Sequence, residues 1–178
     1  MIRLFAAIAI PPEIGEGLAR RQQGLPRARW RPLESLHLTL RFFGEIAEPV
    51  AADLDAELAT VAGRPLELNL QGVGTFGEGK EVNALWAGVA DSDPLRVLAG
   101  RCEAAARRAG LKAETRTYKP HVTLAYLKRA DPVRVAAWVQ GHNLLKSPPF
   151  RVDRFGLYSS WLSNDGSRYD LEREYLLG

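Results

Sequence analysis

The sequence predicts an α+β fold built on antiparallel sheets. Three observations point to it. Helical and strand patterns interleave along all 178 residues. Several strand patterns follow one another through glycine- or asparagine-rich turns, as hairpins do, rather than through helical crossovers. The order strand, helix, strand, helix also occurs twice, which suggests two similar lobes within a single domain spanning residues 1–178.

Taken in order, Ile2–Ile10 is an apolar run suited to a buried strand, and Pro12 opens a helix over Glu13–Gly24. The stretch "RARWRPLES" reads as a loop and leads into a strand over His37–Phe42. Pro49–Ala62 is rich in Ala, Leu and Glu and closes at Gly63, a helix with a glycine stop. Leu66–Val73 alternates apolar and polar residues, and Val82–Val89 is a further strand. The glycine-rich "GTFGEGKE" between them makes the pair a hairpin. Asp93–Ala109 is the clearest helix, with Asp91, Ser92 and Asp93 as N-cap candidates, Pro94 in the first turn and Gly110 after the end. His121–Leu127 is a strand and Pro132–Gln140 a short helix. Phe150–Ser160 and Ser167–Tyr175 are two strands around the turn "SNDG".

The bulk properties narrow the class. Hydrophobic content of 46% and charged content of 25% exclude a disordered chain. No apolar run is long enough to span a bilayer. The N-terminal apolar run Leu4–Ile10 is 7 residues, preceded by Arg3 alone and followed at once by Pro11-Pro12, which fits a first strand rather than a signal peptide. The one cysteine, Cys102, lies in a helical stretch and reads as a packed thiol, in keeping with a reducing cytoplasm. Residues 1–90 carry 9 Lys/Arg against 11 Asp/Glu, net −2, and residues 91–178 carry 15 against 10, net +5. A basic half is compatible with a phosphate-bearing partner, although a solvated surface explains charge alone as well.

Two of the three histidines sit in near-identical contexts, His37-Leu38-Thr39-Leu40 and His121-Val122-Thr123-Leu124. On a strand, residues i and i+2 share a face. Each motif therefore buries two apolar side chains and offers an imidazole and a hydroxyl together on the opposite face. One such motif is unremarkable. Two, brought together by two lobes, supply paired imidazoles suited to acid–base chemistry on a phosphodiester, one accepting a proton from water and one protonating the departing oxygen. The threonine hydroxyls are placed to donate to non-bridging phosphate oxygens. No metal cluster or cofactor motif is needed. His142, in "QGHNLL", has no threonine two residues on and reads as a surface or capping residue.

Other chemistries are poorly matched. "GTFGEGKE" nearly spells a P-loop, but Glu81 stands where Ser or Thr would bind magnesium, and a strand rather than a helix follows. There is no G-x-S-x-G elbow, no HExxH and no Cys/His set at zinc spacing.

With these residues in place, "RLFAAIAIPPEI", "LHLTLRFFGE", "GVGTF…NALWAGV", "KPHVTLAYL" and "FGLYSS" together resemble the two-histidine (2H) phosphoesterases, and among them the RNA 2',3'-cyclic phosphodiesterases, also called 2'-5' RNA ligases. The resemblance runs in order from Arg3 to about Tyr169. It implies a bilobal α+β fold, two antiparallel-rich sheets flanked by helices around a central cleft. It implies metal-independent hydrolysis of 2',3'-cyclic phosphate ends of RNA or nucleotides to 2'-phosphates, with reversible 2'-5' ligation, for example of tRNA halves, as the reverse sense. His37 would be the proton donor and His121 the proton acceptor, with Thr39 and Thr123 on the phosphate. A monomeric cytoplasmic enzyme without cofactor or membrane attachment is expected. The alternative is a non-catalytic RNA- or nucleotide-binding protein whose paired motifs only recognise phosphate.

Relatives often carry Arg after the second motif, as in "HVTLAR", where this chain has Tyr126. Lys119, Lys128 and Arg129 are candidates to supply the missing cation. Arg41 is another, since strand parity places it with His37 and Thr39; Phe43 shares that parity as a base-stacking candidate, although core packing is its more ordinary role. Tyr126 is itself a stacking candidate, although simple parity points it away from His121.

Overall fold

The computed structural model describes residues 1–164 and 166–178. In chain order its elements are β1 (Ile2–Ala9), α1 (Pro12–Ala19), β2 (Arg29–Trp30), β3 (His37–Ile46), α2 (Glu48–Leu58), β4 (Leu66–Leu68), β5 (Leu70–Phe76), β6 (Ala84–Val89), α3 (Asp93–Arg108), β7 (His121–Tyr126), α4 (Pro132–His142), β8 (Phe150–Val152), β9 (Arg154–Ser163) and β10 (Gly166–Leu176). The predicted α+β class with antiparallel sheets is what forms. Eight strands make one sheet in the order β10-β9-β1-β3-β7-β6-β5, with β2 joined to β7, and β4 pairs with β8 in a second, two-stranded sheet. Every strand pairing is antiparallel.

Most elements fall where the sequence places them, with three kinds of difference. The first helix stops at Ala19, short of Gly24, and the third strand runs on to Ile46. The single strands expected at 66–73 and 150–160 each divide in two, because Leu66–Leu68 and Phe150–Val152 leave their neighbours to pair with each other. The loop at 27–35 contains a two-residue strand, β2, whose partner Ala125–Tyr126 is remote in sequence. The "SNDG" turn falls partly on Asp165, outside the described residues.

Helix α3 fixes the buried side of the sheet. Ser92 caps it, its hydroxyl accepting from the Leu95 amide at 3.2 Å. Its buried residues Leu95, Leu98, Ala99, Cys102, Ala105 and Ala106 join one core with Leu38 and Leu40 of β3, Val122 and Leu124 of β7 and Leu85 of β6. Fully buried leucines such as Leu38, Leu85, Leu95 and Leu124 each contribute about 2 kcal/mol by removing apolar surface from water. Burial pushes the Cys102 thiol up to about 12, so it stays protonated and inert. The glycine-rich stretch between β5 and β6 is a hairpin loop followed by a strand, not a phosphate-binding turn into a helix.

A bulge follows each His-x-Thr-Leu motif. Between β1 and β3, Ala7 pairs with Thr39 but Ala6 pairs with Arg41, so Leu40 is the extra residue. Between β6 and β7, Trp86 pairs with Thr123 but Leu85 pairs with Ala125, so Leu124 is the extra residue. An extra residue reverses the inside–outside alternation beyond it. A second bulge on β3 lies at Phe43, between the pairs Phe5–Phe42 and Leu4–Gly44. Gly44 takes φ +80° there, a conformation that glycine adopts without strain.

Candidate active site

Leu38 of β3 pairs with Val122 of β7. Both are fully buried on the helix side. In an antiparallel pair the residues on either side of this contact then face each other across the opposite surface, His37 towards Thr123 and Thr39 towards His121. All four line one cleft of about 310 Å³, together with Arg3, Phe5, Arg31, Ser35, Phe42, Tyr126, Ser160, Ser167 and Tyr169. The two imidazoles and two hydroxyls that the sequence singles out are therefore brought together, from motifs 84 residues apart.

The imidazoles have different surroundings. His37 is enclosed by the rings of Phe5 at 5.2 Å, Tyr158 at 5.2 Å and Tyr169 at 4.8 Å. Its Nε2 is buried and has no hydrogen-bond partner among the described residues. Burial pulls its pKa down to about 4. A hydrogen bond to the Ser35 backbone opposes this in part, and the positive charge of Arg31 adds to it. His121 lies against Phe76 at 4.8 Å and has a firmer anchor: Nδ1 is 2.7 Å from the Lys119 carbonyl. A carbonyl only accepts, so Nδ1 carries the hydrogen, and in the neutral ring Nε2 is left with its lone pair.

The motif-flanking candidates divide. The bulge at Leu40 turns Arg41 onto the helix side, against Ala6, where its Nε donates to Glu103 of α3 and Nη2 to the Lys112 carbonyl at 2.7 Å. Arg41 is therefore a structural ion-pair residue, not a cleft cation as parity predicts. Phe43, which parity alone would put in the cleft, is the extra residue of the second bulge and packs into the core, 8% exposed, the more ordinary of its two readings. Phe42 takes its place at the cleft, paired with Phe5 and 41% exposed. The bulge at Leu124 has the converse effect on Tyr126: it turns the ring into the cleft, against simple parity. Phe42 and Tyr126 thus occupy matching positions five residues after each histidine, at 41% and 43% exposure. The side chains of Lys119, Lys128 and Arg129 are not among those lining the cleft. All three are exposed, and Lys119 acts through its carbonyl.

The cleft cations come instead from the half with net negative charge. Arg3 lies over Phe42 at 5.0 Å, and Arg31 over Tyr126 and Tyr169 at 5.5 Å each. Neither was legible as a cleft residue, since Arg31 reaches the site only through the β2–β7 pairing. His142 lies elsewhere, at the end of α4, its ring tilted against Trp138 at 4.6 Å with Arg21 Nη1 at 3.1 Å from its Nδ1. Among the described residues, no three His, Cys, Asp or Glu side chains cluster as a metal site. No helix is long and apolar enough to cross a membrane.

Residues 10–161 match the family described as the 2'-5' RNA ligase superfamily. The chain belongs to this family. It is 32% identical to the RNA 2',3'-cyclic phosphodiesterase of Escherichia coli K12, over 94% of this chain and 92% of that one. It is 28% identical to that of Archaeoglobus fulgidus, over 94% and 96%. In three dimensions it is similar to E. coli LigT complexed with 3'-AMP, with a TM-score of 0.80, 26% identity, and coverage of 99% of this chain and 98% of that one. The paired cleft is accordingly the family's α+β architecture carrying both His-x-Thr motifs.

Proposed function

We propose that this cleft hydrolyses the 2',3'-cyclic phosphate of RNA or nucleotide ends to a 2'-phosphomonoester. The observation that carries the reading is the pairing of Leu38 with Val122, which sets two imidazoles and two hydroxyls around one space. The activity is that for which the E. coli and A. fulgidus relatives are named.

In the proposed reaction, water attacks phosphorus opposite the 3'-oxygen. His121 Nε2 takes the water proton as the new P–O bond forms. The P–O3' bond breaks, and a protonated His37 gives its Nε2 proton to O3'. One proton is taken and one given, so the ring pair exchanges charge and resets through solvent. The fixed Nδ1–H of His121 supports its assignment as acceptor, because it leaves the Nε2 lone pair free. His37 is neutral in the empty cleft at pH 7, and the anionic diester supplies the negative charge that raises its proton affinity on binding. Thr39 and Thr123 donate to non-bridging oxygens and hold phosphorus between the rings. With a 5'-hydroxyl in place of water, the same groups join a 5'-hydroxyl-bearing and a cyclic-phosphate-bearing end, as in tRNA halves: the 5'-oxygen bonds to phosphorus, P–O3' breaks, and a 2'-5' linkage remains. We place this enzyme in the cytoplasm as a monomer.

The test is hydrolysis of a nucleoside 2',3'-cyclic phosphate in EDTA, followed by phosphorus NMR to distinguish a 2'- from a 3'-phosphate. A 2'-phosphate at an EDTA-independent rate is expected, with a loss of at least about 100-fold in His37→Ala and in His121→Ala. Phosphate binding without turnover would leave a nucleotide-binding protein instead.

A further inference from the structure

Arg31 stands out among the cations of the molecule. It is 8% exposed, yet it lines the cleft rather than the core. Among the described residues no carboxylate lies within ion-pair distance of it. Among those residues its side chain makes one hydrogen bond, a long one, from Nη2 to the Ser167 carbonyl at 3.3 Å. A guanidinium has five N–H donors, and a buried charged group normally has most of its donors met. Among the described residues, most of the Arg31 donors are unmet within a space bounded by His37, His121, Thr39 and Thr123.

The group is also held still. Its amide donates to the Leu124 carbonyl at 2.9 Å, and its carbonyl accepts from Gln22 Nε2 at 2.9 Å. Its guanidinium lies over the rings of Tyr126 and Tyr169. Two aromatic rings fix its plane without consuming its in-plane donors. A planar fork that is desolvated, preoriented and short of acceptors is built for a tetrahedral oxyanion, which it can hold through two parallel N–H bonds.

We propose that Arg31 binds two non-bridging oxygens of the phosphate that occupies this cleft, supplying the guanidinium that position 126 does not. Tyr126 and Tyr169 are then positioning residues that hold its plane, and the exposed Lys119, Lys128 and Arg129 are not needed at the phosphorus. The inference deepens the proposed phosphodiesterase reading and rests on it for the identity of the phosphate. Burial is the main cause that disfavours a protonated His37, and the nearby Arg31 charge, which a bound anion would compensate, adds to it.

The experiment compares wild type with Arg31→Met and Arg31→Lys. Inorganic phosphate and uridine 2'-phosphate are the binding probes, titrated by calorimetry, and uridine 2',3'-cyclic phosphate is the substrate. Circular dichroism and melting curves check the fold. Arg31→Met is expected to weaken both phosphate probes by about 10- to 100-fold and to lower kcat/KM at least as much. Arg31→Lys, which keeps charge but not the fork, is expected to fall between. The His37 ring of the ligand-free variant Arg31→Met should titrate at higher pH than in wild type, and that of Arg31→Lys, which keeps the charge, should not; a rise in both would report loss of packing instead. Unchanged phosphate affinity in folded Arg31→Met overturns the inference. If that variant does not fold, unchanged affinity in Arg31→Lys does so. Wild-type protein that binds phosphate through Arg31 but does not turn over the cyclic nucleotide would overturn the phosphodiesterase reading and leave the Arg31 site standing.

Discussion

Leu38 and Val122 pair directly across β3 and β7, and this is the one residue pair through which those two strands are joined. The contact has two faces. On the helix side it is a buried aliphatic pair with no accessible surface. On the other side it fixes His37 opposite Thr123 and Thr39 opposite His121. A single packing contact thus sets the spacing of the four polar groups, and the bulges at Leu40 and Leu124 deliver Phe42 and Tyr126 to matching places beyond them.

The bulges make a sharp distinction between adjacent residues. Phe43 is in the core and Phe42 on the cleft. Phe43→Ala is therefore expected to destabilise the protein by about 3–4 kcal/mol through cavity formation, with KM little changed in whatever remains folded. Phe42→Ala should cost about 1 kcal/mol or less in stability, because the ring is already largely solvated, but should raise KM for nucleotide substrates. Chemical denaturation and steady-state kinetics on the pair decide it. The opposite assignment of effects would mean the register of β3 is wrong.

The contrast also marks how far the sequence carries. His37, Thr39, His121 and Thr123 lie on uninterrupted stretches of strand, where a period of two holds, and their shared face was legible from the letters alone. Arg41, Phe43 and Tyr126 lie at or past a bulge, where one extra residue inverts the period, so simple parity puts each on the wrong face. A bulge is a property of the partner strand's register, which local pattern does not contain. Arg31 was missed for a related reason. The strand just before it, β2, is two residues long, and the place of Arg31 at the cleft depends on the pairing of that strand with Ala125 and Tyr126, nearly a hundred residues later.

Glu103 gives a further check on Arg41. The pair is partly buried between β3 and α3, and Glu103 also accepts from the Glu114 amide at 2.9 Å. Removing one partner leaves the other charge poorly solvated, so Glu103→Gln and Arg41→Met should each lower stability by about 1–3 kcal/mol. Neither should change phosphate affinity by more than a factor of about two, since Arg41 is turned away from the cleft. A large loss of phosphate binding in folded Arg41→Met would return that residue to the site.

The His37 ring carries a pH signature. In the free protein its imidazole should titrate near pH 4 rather than near 6.5, measurable by NMR with His121→Ala and His142→Ala variants to assign the signals. Saturating phosphate should move this titration upward, because an adjacent anion favours the imidazolium. The same shift bears on stability. The folded chain holds fewer protons at His37 than the unfolded chain between pH 6.5 and 4, so the contribution is present above about 6.5 and is lost as pH falls through 4. Up to about 3 kcal/mol is at stake over that window. In kcat/KM the paired rings should give a bell-shaped profile, and a flat one from pH 5 to 9 would count against both histidines.

Glycine substitutions separate close packing at the site from mere helix propensity. A Cβ built on Gly74 of β5 would run into the indole of Trp86, whereas one built on Gly100 of α3 meets nothing within 4 Å. Trp86 cannot simply shift away, because it packs at 5.9 Å from Phe76 and 6.3 Å from His121. Displacement of the indole would push on Phe76 and on the His121 ring itself. Gly74→Ala is therefore expected to destabilise by about 1–3 kcal/mol and to lower kcat by disturbing the Nε2 direction set by the Lys119 carbonyl. Gly100→Ala should instead stabilise by about 0.5–1 kcal/mol, as an exposed helix-interior glycine gains a helix-forming residue, with kcat and KM unchanged. Melting curves and kinetics on the two variants read both effects. Equal behaviour of the two would show that Trp86 does not support the face of the cleft that holds His121.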